Sequence, residues 1–112
     1  MQKYPIQNIH LATDGIPDDL YRNENYLVVR IGDNWFSYTR KGDAIMFHLF
    51  SLNSKELSQS CSAFIDWVFN EHEWCKMLII TLNKNSLYKL AKKHKFETIL
   101  HRDNEYFMVR CR

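Results

Sequence analysis

Residues 76–96 read KMLIITLNKNSLYKLAKKHKF, and the change of period inside this stretch decides the architecture. Residues 76–82 form an unbroken apolar run, the pattern of a strand covered on both faces. Asn83 and Lys84 interrupt it. From residue 85 to residue 95 the spacing becomes helical, with Leu87, Leu90 and Ala91 on the inner side and lysines on the outer side. A buried strand followed by an amphipathic helix requires a sheet for that helix to lie on.

Working outward, residues 96–101 and 105–110 read as two strands joined by a turn at Arg102-Asp103-Asn104. Upstream, residues 54–71 carry the clearest helical stripe: Leu57, Cys61, Phe64, Ile65, Val68 and Phe69. Asn53 or Ser54 caps its start. Residues 44–52 (AIMFHLFSL) are apolar enough for a central strand. Residues 26–31 (YLVVRI) and 35–40 (WFSYTR) are β-branched and aromatic, and the short Gly32-Asp33-Asn34 connection makes them a hairpin. Lys41-Gly42-Asp43 is the next turn. Near the start, Ile6, Ile9 and Leu11 suit a short strand, Asp14-Gly15-Ile16-Pro17 a turn, and residues 17–21 the beginning of a short helix. The expected fold is α+β: one domain over residues 1–112, with a mixed, mostly antiparallel sheet of six to seven strands flanked by two main helices.

The 112 residues, 46% hydrophobic and 25% charged, are those of an ordinary globular domain with its own core. A formal net charge of +2 is too small to imply nucleic acid. The basic residues are nevertheless clustered: Lys84, Lys89, Lys92, Lys93, His94 and Lys95 share one stretch, while Asp14, Asp18, Asp19 and Glu24 lie near the start. Such a cluster suits a solvated helix face, a phosphate or an acidic protein partner. Cys61, Cys75 and Cys111 are odd in number and contain no C-x-x-C pair, so neither a disulfide framework nor a zinc site is expected. With no apolar signal segment in MQKYPIQNIH and no run of ~20 apolar residues, a soluble protein in a reducing cytoplasm is expected. His72 in NEHEW lacks a second ligand cluster, so no metal is expected.

The element order, together with Asn83-Lys84-Asn85-Ser86 and Ala91-Lys92-Lys93-His94-Lys95-Phe96, resembles the GNAT family of N-acetyltransferases. The likeness is strongest over residues 44–110. GNAT proteins often read N-x-x-S or N-x-x-A after the fifth strand, then a helix ending A-x-K-x-G-F; here Lys95 replaces the glycine and the helix is one residue longer. Tyr106-Phe107-Met108-Val109-Arg110 also resembles the closing strand. Small bacteriophage-encoded GNAT-like proteins are similarly abbreviated, which implies a phage source and a host-cytoplasm location.

The resemblance implies acetyl-CoA held between residues 44–52 and 76–82. Phe50, Ser51, Leu52, Asn53, Ser54, Lys55 and Ser58 would contribute backbone and loop contacts, and Asn83 its side chain. His48 is the expected base, suited to proton transfer near neutral pH. Tyr88 would replace the family's acid Tyr if the helix is shifted, because Ala91 occupies the acid position. The loop after residues 44–52 departs from the family's glycine-rich pattern. It contains no glycine, and Glu56 puts a negative charge where phosphate is expected. The resemblance therefore implies a GNAT-like protein with weak or lost acetyl-CoA-dependent N-acetyltransferase activity that acts by binding a host or virion protein. The alternative is an active N-acetyltransferase that moves acetyl from acetyl-CoA to an amine.

Overall fold

The computed structural model describes residues 9–112; the Ile6 part of the expected first strand lies outside them. Seven strands form one sheet: β1 (Ile9–Leu11), β2 (Leu27–Ile31), β3 (Asn34–Lys41), β4 (Ala44–Ser51), β5 (Met77–Leu82), β6 (Glu97–Arg102) and β7 (Glu105–Cys111). Their spatial order is β1-β2-β3-β4-β5-β7-β6. Every neighbouring pair is antiparallel except β4 and β5, which run parallel. Helix α1 (Leu57–Glu71) connects β4 to β5, and α2 (Asn85–Lys93) connects β5 to the β6–β7 hairpin. This is the α+β architecture that the pattern of periods implies. No helix among the described residues is long and apolar enough to cross a membrane.

Turn chemistry sets the registers. Ile31 pairs with Asn34 and Lys41 with Ala44, so each connection has two residues. Each begins with a glycine at positive φ, 60° at Gly32 and 63° at Gly42, where a side chain is disfavoured. The last hairpin instead places Asp103 and Asn104 at φ 54° and 65°, the double left-handed turn that these residue types tolerate.

Asn34 was expected in the first turn but is the opening residue of β3 and is fully buried. Its side chain explains this. The Asn34 Nδ2 donates to Ser60 Oγ at 3.0 Å, and Ser51 Oγ donates to Asn34 Oδ1 at 2.6 Å. The end of β4, the start of β3 and the first turns of α1 are thus tied by satisfied buried polar groups.

The main core lies between the sheet and both helices. Phe64 of α1 is fully buried, stacked on Phe36 with ring centroids 4.5 Å apart and packed against Phe47 at 5.1 Å. Leu87, Leu90 and Ala91 close the same core from α2. A smaller cluster of Leu20, Val28 and Trp35, with Phe50 at its edge, occupies the opposite face of the sheet. Residues 17–21, expected to begin a short helix, form a turn closed by Leu20 N–H donating to Pro17 O at 3.1 Å. Arg22 donates to the Pro17 and Leu20 carbonyls at 3.0 Å each. So short a segment cannot repay helix nucleation, and burying Leu20 against Val28 and Trp35 holds the turn instead.

The helix expected from Ser54 begins as a 3-10 turn (Ser54–Glu56) before α1 proper. At the other end of the chain of elements, α2 stops where Lys95 adopts φ 71°. Phe96 N–H then donates back to Ala91 O at 2.9 Å and Lys95 N–H to Lys92 O at 3.0 Å, closing the helix end in the manner usually made with glycine.

Two outcomes follow for stability. Phe64→Ala removes the ring that joins α1 to β3 and β4, and should cost about 3–5 kcal/mol, a large part of the ~5–15 kcal/mol typical of a domain; urea unfolding measures it. Lys95→Gly relieves a left-handed conformation and should raise the urea midpoint by about 1 kcal/mol equivalent. An unchanged or lower midpoint contradicts that account of the helix end.

Candidate active site

The parallel β4–β5 ladder contains only Ala44–Met77, Ile45–Leu78 and Met46–Ile79. Beyond it the strands separate. β4 stays paired with β3 through Ser51, and β5 stays paired with β7 through Leu82. Residues 47–51 therefore present a β4 edge that no neighbouring strand covers.

Two cavities occupy this gap. One, of about 410 Å³, lies on the helix side, lined by Ser51 at the end of β4, Ser54 in the connection, Ser58 in the first turn of α1, and Ser86 and Leu90 from α2. The other, of about 440 Å³, lies towards the opposite face, lined by His48, Thr81, Asn83, Asp19 and Tyr21. Leu49, Phe50, Lys84 and Leu87 line both. Leu49, Phe50 and Leu87 form an apolar waist between the two cavities, with Lys84 beside it.

His48 is held by an aromatic cluster. The Tyr21 ring centroid lies 4.6 Å from the imidazole and the Tyr26 centroid 5.6 Å. Tyr26 Oη is 3.3 Å from His48 Nε2 and donates to Met46 Sδ at 3.8 Å. With the hydroxyl proton turned to sulfur, the compatible tautomer donates from His48 Nε2 to Tyr26 Oη and leaves Nδ1 as an acceptor. Burial lowers the His48 pKa below its ordinary value, so the ring is neutral at neutral pH. Burial, then the adjacent Tyr21, raises that of Tyr26, which keeps its proton. His48 was singled out in the sequence, whereas Asp19, Tyr21 and Tyr26, which the structure places around it, were not. These are far away in the chain and no motif marks them.

The remaining predicted residues fall into three groups. Phe50, Ser51, Ser54 and Ser58 line the helix-side cavity, and Asn83 lines the other with Phe50. Leu52, Asn53 and Lys55 line neither; Leu52 is 64% exposed. Tyr88 also lines neither. Its ring packs 4.3 Å from Tyr106, which stacks at 4.1 Å on His101. Leu87 and Leu90 take the cleft-facing positions of α2, and Tyr88 shares neither cavity with His48. Ala91 is buried in the core. Lys84, common to both cavities, was read only as part of a charge cluster. The buried thiols offer no alternative nucleophile: burial pushes Cys61 up to about 12 and raises Cys75 as well.

The two ends of the expected cofactor fit this site differently. An open strand edge beside an apolar waist suits the amide-bearing pantetheine arm. The loop does not suit a pyrophosphate. Leu52 N–H donates to Asp33 O at 3.1 Å, Lys55 N–H to Asn53 Oδ1 at 3.1 Å and Glu56 N–H to Asn53 O at 3.2 Å. Leu57 N–H donates to Ser54 O. The Asn53 side chain has thus taken the place of an outside anion. The Ser51 hydroxyl is committed to Asn34, and Ser58 Oγ lies 3.1 Å from His94 Nε2.

The sequence matches no protein-family model and no curated protein. The fold, in contrast, matches solved acetyltransferases. Campylobacter jejuni N-acetyltransferase PseH superposes with a TM-score of 0.67 at 12% identity, over 80% of this chain and 70% of that one. The GNAT-family acetyltransferase from Bacillus anthracis gives 0.61 at 14% identity, over 78% and 66%. Aminoglycoside N(6')acetyltransferase from Legionella pneumophila gives 0.60 at 14%, over 77% and 62%. At such identities the likeness is one of fold. The chain has the GNAT-like fold, a seven-stranded mixed sheet with two helices, opened between its parallel strands.

Proposed function

We propose that this protein is an N-acyltransferase of reduced cofactor grip, which takes an acyl thioester into the β4–β5 gap from the helix side and an amine from the opposite side. The observation that carries this reading is the pair of cavities that share Leu49, Phe50, Lys84 and Leu87 where the β4–β5 ladder ends, with His48 on the wall of one. When bound, the cofactor supplies the acyl group as a thioester. The exposed β4 edge holds the pantetheine arm through backbone groups, and Leu49, Phe50 and Leu87 exclude water from the waist. Asp19 and the Tyr21 ring attract a protonated amine to the opposite mouth. His48 accepts its proton, which the neutral state of the ring permits. In becoming an amide the protonated amine sheds two protons, one to His48 and one to the thiolate that departs.

The occupied loop N–H groups favour weak binding of acetyl-CoA over the tight binding of a phosphate-wrapping loop, in line with the weak activity expected from the glycine-free sequence. The phage source, and a host or virion partner as the sole role, rest on the resemblance of the abbreviated chain; no contact among the described residues bears on them.

Titration calorimetry with acetyl-CoA tests the reading: binding in the high-micromolar to millimolar range supports it, and no binding at millimolar ligand removes it. Against a panel of primary amines, His48→Gln should lower kcat/KM by about 10²–10⁴-fold with little change in thioester affinity. Activity should fall as pH drops through the His48 pKa. Because burial lowers that value, the acid limb should lie below about 6.5. A limb above 6.5, or full activity in His48→Gln, contradicts the role.

A further inference from the structure

Two features of the donor side call for a common cause. The first is the β4–α1 loop, in which the N–H groups of Leu52, Lys55, Glu56 and Leu57 are bonded internally to Asp33, Asn53 and Ser54. A nucleotide pyrophosphate bound there would have to displace those bonds and sit beside Glu56. Those N–H groups are therefore not free to wrap the pyrophosphate of coenzyme A.

The second is the charge of α2. Lys84, Lys89, Lys92, Lys93 and Lys95 are all exposed, and among the described residues none of them is in a salt bridge. Lys92 and Lys93 lie in the last turn, where a cation complements the helix dipole. That explanation does not serve Lys84, which is the N-cap residue and makes no side-chain cap hydrogen bond. A cation at this end of a helix is unfavourable, and N-cap positions ordinarily hold Ser, Thr, Asp or Asn. Lys84 nevertheless lines both cavities. Lys89 follows on the outer side of the same helix, whose Ser86, Leu87 and Leu90 line the donor cavity. The donor mouth is thus flanked by a lysine-rich helix with one cation set at its rim.

We propose that the physiological donor is an acyl thioester on the phosphopantetheine arm of an acidic carrier protein, docked on the lysine face of α2. This rests on reading the β4–β5 gap as a thioester site. A carrier-borne arm brings the pantetheine that the strand edge can hold and a single phosphodiester for which one lysine suffices. It brings no adenosine diphosphate, for which the loop N–H groups of Leu52, Lys55, Glu56 and Leu57 are already engaged. The carrier's acidic surface pairs with the lysine face, so that charge complementarity supplies encounter rate and orientation, and the two linked contacts reinforce one another.

The test is binding of the full chain, at low ionic strength, to pantetheine, coenzyme A, 3′,5′-ADP, and the holo and apo forms of an acyl carrier protein. Pantetheine and coenzyme A should bind within about threefold of each other, and 3′,5′-ADP should not compete. The holo carrier should bind at least about tenfold more tightly than either pantetheine or the apo carrier. Lys89→Glu with Lys92→Glu, both on the exposed face, should weaken the holo carrier by about tenfold or more and leave pantetheine unchanged. Coenzyme A binding about a hundredfold more tightly than pantetheine, with 3′,5′-ADP competing, overturns the proposal and leaves the cleft reading standing. A holo carrier indifferent to the charge reversals, or no tighter than the apo carrier, overturns it too. If neither pantetheine nor coenzyme A binds, the cleft reading fails and the proposal fails with it.

Discussion

A parallel ladder that stops after Met46–Ile79 is the constraint on which the rest of the molecule depends. Each of the two strands has an antiparallel partner that it follows to its end, β3 for β4 and β7 for β5. Antiparallel pairing is the more stable per residue, so the sheet divides at the parallel β4–β5 junction rather than within either meander. The helices maintain the division. Phe64 of α1 holds Phe36 and Phe47 on the β4 side, and Leu87 of α2 lies at the waist of the gap. The cleft is a consequence of how the two halves are stabilised, with no mobile segment needed to open it.

The same economy of hydrogen bonds shapes the loop at the donor mouth. Asn34, Ser51 and Ser60 fix the end of β4 against α1, and Asn53 then closes the 3-10 turn on itself. A glycine-rich loop leaves its N–H groups pointing outward for an anion; this loop bonds those of Leu52, Lys55, Glu56 and Leu57 from within. On the other mouth, His48 is neutral because it is shielded by Tyr21 and Tyr26, which also orient it. The two sides thus differ in chemistry: one carries loop N–H groups bonded internally, the other a half-buried neutral imidazole.

Much of the fold was legible in the sequence because its periods are clean. The unbroken run at residues 76–82, the stripe from Leu57 to Val68 and the inner face of α2 each have one packing solution. The Lys95 departure was visible as a missing glycine, and the backbone keeps the left-handed turn regardless, because Phe96 must enter the core beside Phe47. Less could be read where contacts are distant. Residues 17–21 carry helix-start chemistry, yet Leu20 is claimed by Trp35 and Val28 across the sheet. Tyr26 meets His48 over a separation of 22 residues. The direction of Tyr88 was decided by one residue of helix phase, with Leu87 taking the cleft side. His48 itself stood out because it is the titratable residue in a strand otherwise apolar.

A crystal structure of the protein soaked or co-crystallised with coenzyme A tests the central claim most directly. The account predicts the pantetheine arm ordered along residues 47–51, between β4 and α2, with the adenosine diphosphate portion poorly ordered and the Asn53 turn intact. A pyrophosphate wrapped by residues 53–58 with that turn opened, or a coenzyme bound away from the β4–β5 gap, would contradict it.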